Sequence, residues 1–126
     1  MIGNINGNWK SMDLKNYQKA VQVTAASYKP EEKEIMTWGL GIVGEAGDVA
    51  GCIKKTYSHN DDQTSGTREN LGDTMWYIAM ICNFYGWDLS EVLEENIKKL
   101  KKRYSKGKFT YQHARRNGKR IDWNEK

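Results

Sequence analysis

The sequence predicts an all-α protein with a four-helix, bundle-like fold, and three observations support this. Apolar residues recur at helical spacing along four segments, residues that cap or stop helices flank these segments, and no segment shows convincing strand alternation. The chain has 126 residues, enough for one domain with a core that needs neither disulfides nor a structural metal. Its composition, 38% hydrophobic and 29% charged, is typical of a globular protein.

The first two predicted helices meet at the single proline. The first begins near Ser11, a good N-cap residue, and ends before Pro30. Pro30 suits the start of the second helix, which has three glutamates in its first turn and extends to about Tyr57. Because residues 35–53 are apolar on almost every side, we expect this helix to be central and buried.

Two further helices follow a polar loop. Thr67 can cap the third helix, and Gly86 can end it in the position after the last turn. Asp88 can cap the fourth, with Glu91 completing a capping box. The apolar surface of the second and third helices exceeds what one small bundle needs, so we expect helix-on-helix oligomerisation into a homodimer or homotetramer.

The net charge of +4 hides an asymmetry along the chain. From Lys98 onward there are twelve Lys/Arg and two Asp/Glu, a net charge of +10, whereas the preceding residues carry −6. We therefore predict a helical domain over residues 1–106 and a basic extension over residues 107–126. Such an extension can bind nucleic acid, neutralise a phosphate-rich ligand, or be a solvated tail.

Cysteine usage and the N-terminus indicate the compartment. Cys52 and Cys82 each fall within an apolar helical pattern, as small buried hydrophobic residues do. The first ten residues contain no apolar stretch of signal-peptide type, and residues 35–53 are interrupted by Glu45, Asp48 and several glycines. We expect a cytoplasmic protein without a membrane span.

Acidic side chains interrupt the second and third helices at helical spacing. Glu45 and Asp48 are three residues apart, so they project from one face of the second helix. On the third, Asp73 follows Asn70 by three residues and Glu69 by four, which again gives one face. Ionised carboxylates among apolar neighbours are costly unless they are paired or bind a metal.

Two oxygen-rich patches on consecutive helices predict a cage for Mg²⁺, with Mn²⁺ as an alternative. A di-iron site would need a Glu-x-x-His motif, and neither His59 nor His113 follows a glutamate at that spacing. The alternative for each carboxylate alone is an ordinary salt bridge or helix cap.

Three segments in order, GLGIVGEAGDVAGCIKK, ENLGDTMWYIA and LSEVLEENIKKLKKRY, resemble the MazG-like nucleoside triphosphate pyrophosphohydrolases, an all-α family. The resemblance covers about residues 17–104. The family motif is E-x-x-E, a spacer, then E-x-x-D. Glu45 and Asp48 match its first half, and Asp73 closes the second.

Two positions depart from the family motif. Asp48 stands where the family usually has Glu, which keeps the charge but shortens the reach. Asn70 stands where the family usually has Glu, which loses a charge, although its carbonyl oxygen suits a hard cation. Glu69 is one residue away, about 100° around the helix. The resemblance implies that Glu45, Asp48 and Asp73 are catalytic and, with Asn70 or Glu69, bind the metal.

The resemblance implies that a nucleoside or deoxynucleoside triphosphate is hydrolysed between the α- and β-phosphates, giving the monophosphate and pyrophosphate. Two other functions stay open. A catalytically silent, regulatory domain of this family would follow if Asn70 abolishes metal binding. A nucleic-acid-binding helical protein would use the basic extension, but it leaves the carboxylates unexplained.

Six further residues are candidates for substrate binding. The end of the second helix offers two cations for the phosphates, although cations also favour any helix C-terminus. The family places an aromatic residue and an asparagine near the nucleotide at two positions that this chain matches. An additional glutamine and a tryptophan could contact a base, or could equally belong to the core. These residues are Lys54 and Lys55, then Tyr77 and Asn96, then Gln18 and Trp38.

Overall fold

The computed structural model describes residues 5–6 and 11–115, and it is all-α over these ranges, with no strand. This confirms the predicted fold class. No helix within the described residues is long and apolar enough to span a membrane. There are five helices: α1 Leu14–Gln22, α2 Glu31–Ser58, α3 Thr64–Tyr85, α4 Leu89–Arg103 and α5 Tyr111–Ala114.

The chain divides into two compact units. The first ends at Leu89 and contains α1, α2 and α3, and the second begins at Ser90 and contains most of α4 with α5. The predicted boundary at residue 106 stays a prediction, and residues 116–126 of the predicted extension lie outside the described part of the chain. Within that extension, α5 is a single helical turn that the sequence analysis did not predict. Thr110 caps it by accepting a hydrogen bond from the His113 amide.

Helix α1 begins later and ends earlier than its pattern predicts. Its N-cap is Asp13, whose carboxylate accepts the Asn16 amide at 2.8 Å, while Ser11 lies outside the helix. At the other end, the Thr24 hydroxyl donates to the Val21 carbonyl at 2.7 Å. This bond satisfies one of the carbonyls that the end of α1 leaves without a helical partner.

The start of α3 also differs from its prediction, whereas its end does not. Thr64 begins α3, so Thr67 lies within the first turn and donates its hydroxyl to the Gln63 carbonyl at 3.0 Å. Gly86 ends α3 at φ 70°, the left-handed conformation that glycine adopts without strain. The predicted C-terminus is confirmed, and α4 begins directly after Asp88.

The core of the first unit lies where α1 and α2 pack against α3. Trp38 is buried from α2, and Ala79, Met80 and Cys82 are buried from α3. Leu89 is fully buried at the start of α4. Both cysteines are free thiols.

The prediction that α2 is buried on almost every side is wrong for the described chain. Trp38 is its only buried residue, and Leu40 and Val43 are 72% and 69% exposed. The physical reason is that α3 covers one face of α2 only. The opposite face keeps its apolar side chains in contact with solvent.

Candidate active site

Two close contacts fix the register of α2 against α3. A Cβ atom on Gly41 would overlap the Tyr77 ring, so the tyrosine ring rests directly on the backbone of α2. Nearer the loop, the Asn70 amide donates to the Cys52 thiol at 3.6 Å. From the first contact to the second, the chain advances from Gly41 to Cys52 on α2 but goes back from Tyr77 to Asn70 on α3, so the two helices are antiparallel. Glu45 and Asp73 lie between these two contacts.

The pKa of Glu45 links three of the predicted carboxylates to one another. Partial burial raises the pKa of Glu45, and the carboxylates of Asp73 and Asp48 raise it further. Asp73 therefore acts across the helix pair on a residue of α2. The sequence analysis placed these three residues together from their spacing and the family motif, and the influence of Asp73 and Asp48 on the pKa of Glu45 supports that grouping.

Tyr17 of α1 belongs to the same surroundings and was missed from the sequence. Burial raises the pKa of its phenol, and the Asp73 carboxylate raises it further. Its hydroxyl donates a long hydrogen bond, 3.5 Å, to the Gly72 carbonyl. No local signal could have identified Tyr17, because α1 reaches α3 only in the folded chain.

The carboxylates are less buried than their apolar neighbours predict. Glu45 is half-buried, and Asp48, Glu69 and Asp73 are exposed. Within the described chain, the apolar residues that flank these carboxylates in the sequence therefore do not bury them. Because α2 is covered on one face only, water reaches the rim of the helix pair where these side chains lie.

Asn70 and Glu69 differ in where the helix places them. Asn70 is half-buried and faces α2, as its contact with Cys52 shows. Glu69 is exposed, one residue earlier on α3. A role for either as the fourth metal ligand stays a prediction.

The carboxylate oxygens of Glu45, Asp48 and Asp73 are ligands of the kind that a hard divalent cation prefers. Three carboxylates offer only oxygen atoms. Partial burial, and then the charges of Asp73 and Asp48, raise the pKa of Glu45, and a cation would offset the repulsion from these charges. Within the described residues, however, no three His, Cys, Asp or Glu side chains already lie close enough to hold a metal ion. The preformed cage that the spacing predicts is therefore absent from this arrangement, and binding would have to draw these side chains together.

Lys54 and Lys55 are both exposed near the end of α2 but project differently. Lys55 follows Asp48 by seven residues, which places it on the same face, about 10 Å further along the axis. Lys54 is rotated by about 100° from Lys55. The geometry of the helix therefore favours Lys55 for a ligand held at the carboxylates.

Trp38 and Tyr77 lie in an aromatic cluster between α2 and α3. The Trp38 ring is 5.2 Å from that of Trp76 and 5.8 Å from that of Tyr28, and Trp76 is 5.0 Å from Tyr77. These tilted and edge-on contacts stabilise the core. The buried Trp38 indole N–H has no acceptor among the described residues. A nucleotide contact by Trp38 or Tyr77 stays a prediction.

Gln18 ties α1 to the junction between α3 and α4. Its amide nitrogen donates to Asn83 at 3.2 Å and to the Trp87 carbonyl at 3.0 Å, and its oxygen accepts the Leu89 amide at 2.7 Å. Asn83 in turn donates to the Gln18 carbonyl at 3.0 Å. These bonds give Gln18 a structural role that the sequence did not indicate, and the predicted base contact stays untested.

Asn96 is exposed on α4. It belongs to the second unit, whereas the three carboxylates belong to the first. Its predicted role near the nucleotide therefore rests on the family motif alone.

A curated relative comes from a bacteriophage. The Gene 37 protein of Mycobacterium phage L5 is 36% identical over 73 residues, an alignment that covers 54% of this chain and 64% of the phage protein. The chain thus spans somewhat less than two thirds of that relative. No solved structure matches significantly.

The comparison with family models is more specific. The model of the MazG nucleotide pyrophosphohydrolase domain matches residues 33–107, well over half of the chain. The matched range contains α3, α4 and all of α2 except its first two residues, and it includes Glu45, Asp48 and Asp73. This all-α chain therefore belongs to the MazG nucleotide pyrophosphohydrolase domain family.

Proposed function

We propose that the protein is a Mg²⁺-dependent nucleoside triphosphate pyrophosphohydrolase that acts on ribo- or deoxynucleotides. The observation that carries the proposal is the group of Glu45, Asp48 and Asp73, in which neighbouring carboxylates raise the pKa of Glu45 within a matched MazG domain. Water attacks the α-phosphorus, the bridging bond to the β-phosphate breaks, and the products are a monophosphate and pyrophosphate. We assign the enzyme to nucleotide-pool control or house-cleaning in a reducing cytoplasm, where Cys52 and Cys82 remain thiols.

Each part of the site has a chemical task in this proposal. Glu45, Asp48 and Asp73 hold the cation, and one of the three accepts a proton from the attacking water. A bound Mg²⁺ supplies charge neutralisation for a substrate that carries about four negative charges. Lys55 binds the outer phosphates, and the Trp38 N–H and Tyr77 lie toward the nucleoside.

Direct product analysis tests the activity. The purified full chain is incubated with each NTP and dNTP, with and without Mg²⁺, and the phosphorus products are separated by NMR. We expect monophosphate and pyrophosphate in equal amounts and only with the cation. Diphosphate and free phosphate would instead indicate cleavage at the outer bond and would contradict the proposal.

Asn70 is the observation that favours a silent, regulatory domain instead. Its amide is engaged with the Cys52 thiol at the position where the family motif carries a glutamate. Asn70→Glu restores the missing charge, so we expect it to lower the Mg²⁺ concentration needed for half-maximal turnover. If neither the wild-type chain nor Asn70→Glu turns over any nucleotide, the regulatory function replaces the enzymatic one.

A further inference from the structure

The Cys52 thiol lies in a notch on α3 that a missing side chain creates. A Cβ atom added to Gly66 would lie 3.1 Å from the Cys52 sulfur, so the thiol packs close to the backbone of α3 at this glycine. One turn further along α3, the side-chain amide nitrogen of Asn70 donates a hydrogen bond to the same sulfur at 3.6 Å. The half-buried thiol therefore contacts α3 at two points that are one turn apart.

The adjoining ends of the two helices hold Cys52 in this notch. The Thr56 hydroxyl donates to the Cys52 carbonyl at 2.9 Å and accepts the Gln63 amide, also at 2.9 Å. These two bonds tie the turn of α2 that begins at Cys52 to the residue that precedes α3. The position of the thiol beside Asn70 is thus set by the backbones of both helices.

The contact determines which end of the Asn70 amide faces the sulfur. A side-chain amide carries donor hydrogens on its nitrogen and an acceptor oxygen, and a hard cation binds only the oxygen. Because the nitrogen donates to Cys52, the oxygen points away from the sulfur. Asp48 precedes Cys52 by four residues and Asp73 follows Asn70 by three, so the thiol and the amide adjoin the carboxylate face of each helix.

We propose that Cys52 is a positioning residue for the metal site: its thiol holds the Asn70 amide nitrogen, so that the amide oxygen is presented to a divalent cation. The inference rests on the proposed function for the existence of a cation at the three candidate carboxylates. An amide turned the other way would present hydrogens, which repel a cation and remove a ligand. A glutamate, which the family motif carries at this position, needs no such orientation because both ends of its carboxylate are oxygen atoms.

Metal titration of the full chain tests this role without substrate. Mn²⁺ is the probe, because electron paramagnetic resonance measures the free ion and so gives the dissociation constant. We expect Cys52→Ala to raise this constant about tenfold, as does the loss of an outer-sphere partner of a metal ligand. Cys52→Ser should restore most of the affinity, since a hydroxyl also accepts the amide hydrogen. Cys82→Ala, which removes the other thiol from the core, is the matched control and should leave the constant unchanged.

A second background separates orientation from packing. Asn70→Asp replaces the amide by a carboxylate with two equivalent oxygen atoms, so its orientation no longer matters. In this background Cys52→Ala should change the Mn²⁺ dissociation constant by less than about twofold, since the coupling between the two residues is gone. An equal loss of affinity in both backgrounds would show that the thiol acts through packing alone and would contradict the proposal. If circular dichroism shows that Cys52→Ala does not fold, Cys52→Val fills the notch without accepting a hydrogen bond and carries the same expectation.

Co²⁺ distinguishes positioning from direct ligation by sulfur. A thiolate inside the coordination sphere gives a sulfur-to-cobalt charge-transfer absorption, whereas a thiol that only holds Asn70 gives none. We expect no such absorption in the wild-type chain. An absorption that disappears in Cys52→Ala would make Cys52 a metal ligand and overturn the positioning role.

The inference and the proposed activity fail in different ways. A chain whose Mn²⁺ affinity depends on Cys52 as expected, but which hydrolyses no nucleotide, would retain the inference and lose the activity. Nucleotide turnover with a Mn²⁺ affinity that is indifferent to Cys52→Ala would do the reverse. A wild-type chain that binds no Mn²⁺ would also contradict the inference.

Discussion

At the scale of single residues, the candidate site is a small group of mutually repelling carboxylates on a solvent-exposed rim. Glu45 is influenced by Asp48 from its own helix and by Asp73 from the neighbouring one. Tyr17 adds a phenol from a third helix. The group is therefore assembled from three segments that are far apart in the chain.

Removing a charge from this group should abolish turnover while the fold persists. We expect Glu45→Gln and Asp73→Asn each to lower kcat/KM by about 10²–10⁴-fold, the range for losing a group that acts in proton transfer or charge stabilisation. Glu94→Gln is the matched control, since it removes an exposed carboxylate of α4 that is not a candidate metal ligand. Equal losses in all three variants would show that net charge, rather than this group, governs activity.

The raised pKa of Glu45 makes a prediction about stability and pH. The folded chain holds the Glu45 proton more tightly than the unfolded chain, so in metal-free buffer its stability falls as the pH rises from the ordinary glutamate pKa to the raised value. Glu45→Gln should remove the loss of stability that comes from ionising Glu45. At pH values above the raised pKa, the variant should therefore have a higher melting temperature than the wild-type chain. Thermal melts with EDTA at pH 4 to 7 measure it; parallel wild-type and variant profiles would contradict the electrostatic cause.

At the scale of the helices, the close packing of α2 on α3 requires a glycine at residue 41, where the Tyr77 ring crosses α2. Gly41 has no room for a side chain because of Tyr77, whereas Gly44 has open space. The ring cannot swing away easily, because it packs against Trp76 at 5.0 Å and Trp38 at 6.2 Å.

The two glycines should therefore respond oppositely to alanine. Gly41→Ala should lower the free energy of unfolding by about 1–3 kcal/mol through overpacking. Gly44→Ala should raise it by about 0.5–1 kcal/mol, because alanine is the better helix former. Urea unfolding at one protein concentration compares them. Stabilisation by both substitutions would mean that Tyr77 does not rest on the α2 backbone.

At the scale of the whole molecule, the exposed apolar face of α2 bears on the predicted oligomerisation, and association would link stability to protein concentration. An interface that only the folded chain can form makes the melting temperature depend on protein concentration. We expect the wild-type melting temperature to rise with concentration and that of Leu40→Glu to stay constant. A wild-type melting temperature independent of concentration would argue against a dimer in solution.

The sequence predicted the helices because they follow from local rules. Gly86 ends α3 where its lack of a side chain permits a left-handed turn, and Pro30 precedes α2. The starts of α1 and α3 were displaced because each segment offers several possible starts: Asp13, rather than Ser11, caps α1, and Gln63, rather than Thr67, precedes the first residue of α3. Only the folded backbone selects among them.

The sequence by itself determined the all-α class and the family, and it predicted three site carboxylates, since spacing and motif are properties of the chain. The tertiary structure decided what covers each helix, because burial depends on the partner that packs there. It exposed one face of α2, gave Gln18 a structural network and brought Tyr17 toward Asp73. It also left most of the acidic side chains of α2 and α3 exposed, because apolar neighbours in sequence exclude water only where another helix packs over them.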